Sequence, residues 1–153
     1  PHNNWDLLQA RYIMNVGLVL EDNKEYADGK GREYYIDYVL NRSGIRQWSL
    51  TRLADYGFDA ETGIWAECPG YSSVVINDYA NFANQFDNNL HYDLVKAMPV
   101  LSKAVAATPQ YLFPNRMICG FGDTHPGYLN TNFFIRMIQN AQANGKKEQE
   151  DGK

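Results

Sequence analysis

The stretch SVVINDYANFANQF, Ser73–Phe86, places Val75, Tyr79, Phe82 and Phe86 at alternating steps of four and three residues. That spacing follows the 3.6-residue period and puts all four side chains on one face of an α-helix. Just ahead of it stands TGIWAECPGYSSVVIND, Thr62–Asp78, with a tryptophan, a carboxylate, a cysteine, a Pro-Gly pair and a tyrosine crowded into the helix approach. A loop that only connects helices has no need of Trp65, Glu67 and Tyr71.

The same periodicity recurs on both sides. In NNWDLLQARYIMNVGLVLED, Leu8, Tyr12, Val16 and Val19 or Leu20 form one stripe, with Asn3 or Asn4 as N-cap. REYYIDYVLN is a second helix, ending near Gly44, and RQWSLTRLADY a third, closed by Gly57. YDLVKAMPVLSKAVAAT is helical on both sides of Pro99, which either kinks one helix or starts another. Prolines and glycines make the segment from Pro109 to Gly127 irregular or briefly extended. In the last helix Phe133, Phe134, Met137, Ile138 and Ala141 are expected inward and Gly145 is the expected stop. No strict two-residue alternation appears, so the expectation is an all-α chain of about six helices with antiparallel neighbours. Residues 1–145 read as one helical domain and 146–153 as a flexible charged tail.

The totals narrow the function. A chain of 153 residues with 44% hydrophobic and 21% charged residues has the composition of a globular domain. No apolar run approaches the ~20 residues of a membrane-spanning helix. A net charge of −4 argues against general nucleic-acid binding, which needs a basic stripe. Eleven tyrosines and three tryptophans fit either aromatic core layers or a surface that meets sugars. Cys68 and Cys119 lack metal-site spacing, and both a disulfide and two free thiols stay open. His2, His91 and His125 show no i, i+4 pair, so neither a metal nor a cofactor is expected. The chain opens on PHNNW without a methionine and is expected to be a piece of a longer protein.

Three clusters carry candidate chemistry. Tyr71, after Pro69-Gly70, is held at a helix entry; a phenol acts as an acid when neutral, or as a base where cations stabilise phenolate. Glu67 is an acid, a base or an orienting group, and Asp123 in GFGDTH, with His125 two residues on, is similarly placed. In HNNWD, Asn3 or Asn4 caps a helix and Trp5 packs inward, while His2 and the two amides can bond a sugar carboxyl.

Taken together, His2-Asn3-Asn4-Trp5, the Gly63–Tyr71 loop and the Pro114–Asp123 loop resemble the heparinase II/III-like polysaccharide lyases, a group that includes alginate lyases. The resemblance runs from His2 to about Asp123, and Cys68 stands where a glycine is common in that family. It implies helical hairpins forming part of an (α/α) toroid, followed in the parent chain by a β-sandwich domain. It implies cleavage of an anionic, uronate-containing polysaccharide by β-elimination, in a periplasmic or secreted setting. Tyr71 would then act in proton transfer, and Asn3, Asn4 or His2 would neutralise the substrate carboxylate. Glu67, Trp65, Trp5, Asp123 and His125 would contact or orient substrate, with Trp65 either buttressing its turn or stacking on a sugar. Arg11, Arg42, Arg46 and Arg116 are candidate cleft cations. Two other readings stand beside it: a glycoside hydrolase on an α/α barrel using Glu67 and Asp123, and a non-catalytic helical module that binds glycans.

Overall fold

The computed structural model describes residues 3–151, and their side chains as far as 145. Among the described residues every regular element is a helix, and β-pairing is confined to isolated bridges. The all-α expectation holds. The chain divides between Gly57 and Phe58 into two compact units.

The first unit holds α1 (Asn4–Val19), α2 (Arg32–Leu40) and α3 (Leu50–Gly57), with a 3-10 turn at Asn23–Glu25. Helix α1 starts on a capping box. The Asn3 side chain accepts from the Trp5 N–H at 3.1 Å, and Asp6 Oδ2 accepts from the Asn3 N–H at 3.0 Å. The expected stripe of α1 is displaced. Leu7, Ala10, Met14 and Gly17 face inward, while Tyr12, Val16 and Val19 are exposed. This helix carries apolar residues on two faces, so periodicity alone does not choose between them. Asp6 does: it is buried, and its Oδ1 accepts from the Trp48 N–H at 2.8 Å, which sets the helix rotation. Gln47 adds a hydrogen bond from Nε2 to the Asp6 carbonyl at 3.0 Å. These tethers hold residues 46–48 outside α3, which begins instead at Leu50, with Ser49 Oγ accepting from the Arg52 N–H.

The second unit holds α4 (Pro69–Leu90), α5 (Leu94–Ala97), α6 (Val100–Ala107) and α7 (Asn132–Asp151), with a 3-10 turn at Thr108–Tyr111. Helix α4 is its axis. Val75, Tyr79, Phe82 and Phe86 are all buried, as their spacing requires. Ring-to-ring contacts run from Trp65 through Phe58, Tyr79 and Phe82 to Phe86, with centroids 4.9–6.5 Å apart. The helix starts four residues earlier than expected: Pro69 and Gly70 are its first two residues rather than a turn before it. Proline suits that place because the first helical N–H has no intrahelical partner. Pro99 resolves as the start of α6, not a kink, since α5 ends at Ala97.

Helix α7 differs from expectation in two ways. It passes through Gly145, which needs no left-handed conformation there, and continues to Asp151; residues 152 and 153 of the expected tail lie outside the described residues. Its inward face includes Phe133 and Asn140, whereas Ile138 and Ala141 are exposed. The Arg136 guanidinium, bonded to Asn77 and Asn81 of α4, turns the helix that way.

Candidate functional site

Within the second unit, two loops converge on the first turn of α4. The first, residues 58–68, is pinned at its base. Asp59 Oδ1 accepts from the N–H groups of Glu61 and Thr62 and from the Thr62 hydroxyl, bonds that hold its carboxyl below the ordinary range. Gly63 follows at φ +75°, with the backbone of Lys103 and Ala104 so close that a Cβ would stand 2.4 Å from it. Only glycine meets both conditions. Trp65 pairs with Phe58 in a β-bridge and is 3% exposed. Its Nε1–H donates to Glu67 Oε2 at 2.8 Å. The indole is therefore a buttress, with no face left for a sugar, and the half-buried Glu67 is the group it orients.

The second loop, residues 112–128, is folded by the bridges Leu112 to Ile118 and Met117 to Tyr128. It brings Asp123 and Thr124 to α4. The Thr124 hydroxyl accepts from the Gly70 N–H at 2.8 Å, and the Tyr71 hydroxyl lies 3.3 Å from Asp123 Oδ2. One residue on, Ser72 Oγ meets the Tyr111 hydroxyl at 3.1 Å. Gly122, at φ +62°, lets the loop pass over Cys68; a Cβ there would come within 2.9 Å of the Cys68 Cβ.

The electrostatics follow from that contact. The Asp123 charge, then the hydrogen bond to it, with smaller contributions from burial, Cys68 and Glu67, raise the Tyr71 phenol above its ordinary value. The tyrosine is a proton donor at neutral pH. Cys68, the N-cap of α4, shifts the other way. Burial works against ionisation, but the Thr124 hydroxyl and the N–H groups of Tyr71, Asp123 and Gly70 outweigh it and lower the thiol. Cys68 and Cys119 are both free thiols.

The structure thus brings together Tyr71, Glu67, Trp65, Cys68 and Asp123, with His125 exposed two residues beyond. The candidates of the first unit have other surroundings. Asn3 is engaged in its cap, Asn4 is the first residue of α1, and Trp5 is 63% exposed rather than packed inward. His2 lies outside the described residues. Of the candidate cations, Arg42 pairs with Asp37 at 2.5 Å, and Arg11 lies over the Tyr12 ring. Two kinds of residue escaped the sequence reading. Phe121 and Tyr128 are exposed rings on the same loop as Asp123. Arg136 reaches α4 from a helix read only for its apolar stripe. No signal in one sequence marks either. Among the described residues, no group of three or more His, Cys, Asp or Glu side chains is arranged to hold a metal ion.

A comparison with curated proteins and with solved structures finds no match. The family model described as the endo-acting ulvan lyase 2nd domain matches residues 61–152. That segment takes in the second loop, the first loop from Glu61 onward, and nearly all of the second unit. With more than half of its length matched, the chain belongs to the family of the endo-acting ulvan lyase 2nd domain, a polysaccharide lyase family.

Proposed function

We propose that this chain is part of a lyase that cleaves a uronate-containing polysaccharide, ulvan by the family description, by β-elimination, with Tyr71 in proton transfer. The observation that carries the reading is the Tyr71–Asp123 contact at 3.3 Å, held at the head of α4 inside the family-matched segment. In β-elimination a base removes the proton at C5, the C4–O4 bond breaks, and the departing O4 takes a proton. A phenol kept protonated by a neighbouring carboxylate suits the last of these events. Asp123 orients the hydroxyl and holds its proton until O4 is close enough to accept it. Glu67 and Trp65 fix the turn that delivers the tyrosine, and the exposed rings of Phe121 and Tyr128 offer flat surfaces to sugar rings.

The resemblance of the Gly63–Tyr71 loop to the heparinase II/III-like lyases supports the same role for Tyr71, and with it the reading of these helices as part of an (α/α) toroid. A β-sandwich domain in the same parent chain and a periplasmic or secreted setting belong to that reading too. In the same reading Asn3 or Asn4, at the start of α1, neutralises the substrate carboxylate.

The test is the ultraviolet absorbance of unsaturated uronate product during incubation with ulvan and with other uronate polymers. Tyr71→Phe is expected to lower turnover by about 10²-fold or more with the helical signal intact. An unchanged rate would sink the proposal. Asp123→Asn separates the acid role from mere packing. Losing the charge lowers the Tyr71 pKa, so the alkaline fall in rate must begin at lower pH than in the wild type. A limb that stays in place, or moves up, removes Asp123 from the mechanism.

A further inference from the structure

Helix α4 continues beyond Tyr71 with a half-exposed polar edge. Asn77, Asn81 and Asn84 lie along it, partly open to solvent, between the buried residues that face the core. At 1.5 Å and 100° per residue, Asn77 and Asn81 stand about 9 and 15 Å along the axis from Tyr71, and roughly 120° and 80° around it. Arg136 comes to them from α7. Its Nη1 donates to Asn77 Oδ1 at 3.4 Å and also to Asn81 Oδ1.

Among the described residues no carboxylate lies within ion-pairing distance of Arg136, and its two partners are neutral amides. A partly buried guanidinium without an anion is costly, and a folded chain ordinarily supplies an Asp or Glu. Asparagines do something different. They hold the group in one orientation through Nη1 and leave its charge in place, with Nε and Nη2 clear of both bonds. A planar fork of donors held that way matches two oxygens of a carboxylate or sulfate.

We infer that Arg136, held by Asn77 and Asn81, is an oxyanion-binding subsite for an acidic sugar unit of the polysaccharide chain whose scissile bond lies at Tyr71. The ligand chemistry is a carboxylate or sulfate on a sugar ring; the asparagine amides that flank it suit ring hydroxyls. The lyase reading supplies the identity of the polymer, whereas the subsite stands on the α4–α7 geometry. Arg136 binds and positions; it takes no part in proton transfer.

Calorimetric titration with three oligosaccharides tests this: one from ulvan, an unsulfated uronate oligomer, and a sulfated oligomer without uronate. Arg136→Gln is expected to weaken binding of the ulvan oligomer at least about tenfold, and Arg136→Lys by less, since one charge remains without the fork. Asn81→Asp guards against a simple folding defect. It gives Arg136 an internal carboxylate, so thermal stability should hold or rise while binding falls. Whichever single-anion oligomer loses affinity in Arg136→Gln names the anion. The inference falls if Arg136→Gln and Asn81→Asp bind like the wild type, even where Tyr71→Phe abolishes turnover; the lyase reading then stands alone. Arg136-dependent binding without product formation keeps the subsite and removes the lyase reading. No binding of any of the three by the wild type overturns both.

Discussion

Helices α1 and α4 both begin with a polar residue before an apolar run, yet their starts are built in opposite ways. The start of α1 is closed on itself. Asn3 and Asp6 satisfy each other's backbone N–H groups within four residues of chain. The start of α4 is completed from far away. The Cys68 thiol lies near the first N–H groups of the helix without a capping hydrogen bond of ordinary geometry, and the Gly70 N–H is met by Thr124, 54 residues further on. A local cap finishes a helix without help from any other part of the chain. A cap made by a distant loop fastens that loop, with Asp123 on it, against the first turn of the helix that carries Tyr71. The difference is that between a terminus closed by its own residues and one fastened to a distant loop.

Three changes probe this contrast. The largest effect is expected from Gly122→Ala. It forces an L-residue into the left-handed region and a methyl group against Cys68, and costs roughly 2–4 kcal/mol. A fall in the thermal midpoint with loss of product formation would confirm that the loop must pass this close. An unaltered midpoint would mean that the loop can lift off without harm. Next comes Thr124→Val, which keeps the shape and leaves the Gly70 N–H unpaired, for about 1–3 kcal/mol. Thr124→Ser should recover most of it, because the hydroxyl is what matters. Denaturant unfolding of both variants decides, and equal losses would put the effect in the methyl group instead.

The smallest effect belongs to the self-contained start. Asn3→Ala removes a cap worth about 1 kcal/mol, and Asn3→Asp or Asn3→Ser restores it, since any good N-cap accepts the same N–H. The Tyr71 phenol should titrate as before in all three, read as the ultraviolet tyrosinate difference against a Tyr71→Phe background. If Asn3→Ala moves that titration, the start of α1 is not self-contained.

Legibility followed the same line. The buried stripe of α4, the irregular second loop, and Tyr71 at a helix entry were readable, because each rests on residues close together in sequence. The rotation of α1 was not. Leu8, Tyr12 and Val16 are as apolar as the face that is buried, and only the distant hydrogen bond from Trp48 to Asp6 decides between them. Ile138 and Ala141 misled for a like reason: the apolar pattern of α7 is wide, and Arg136 sets which part of it faces α4. The match between Trp65 and Glu67 lay two residues apart and was open to reading, but the choice between buttress and sugar platform depended on Phe58 and Tyr79.

The sequence by itself determined the helical class, the two elaborate loops and the tyrosine that one of them delivers. Period, turn chemistry and the limits on proline and glycine are properties of short stretches of chain. Tertiary structure alone decided that Asp123 stands beside Tyr71, that Thr124 caps α4, and that Arg136 is held by amides with no carboxylate beside it among the described residues. Those facts join residues more than fifty positions apart, and no local preference encodes such a distance. They arise when burial of the aromatic core brings the loops and α7 against one helix.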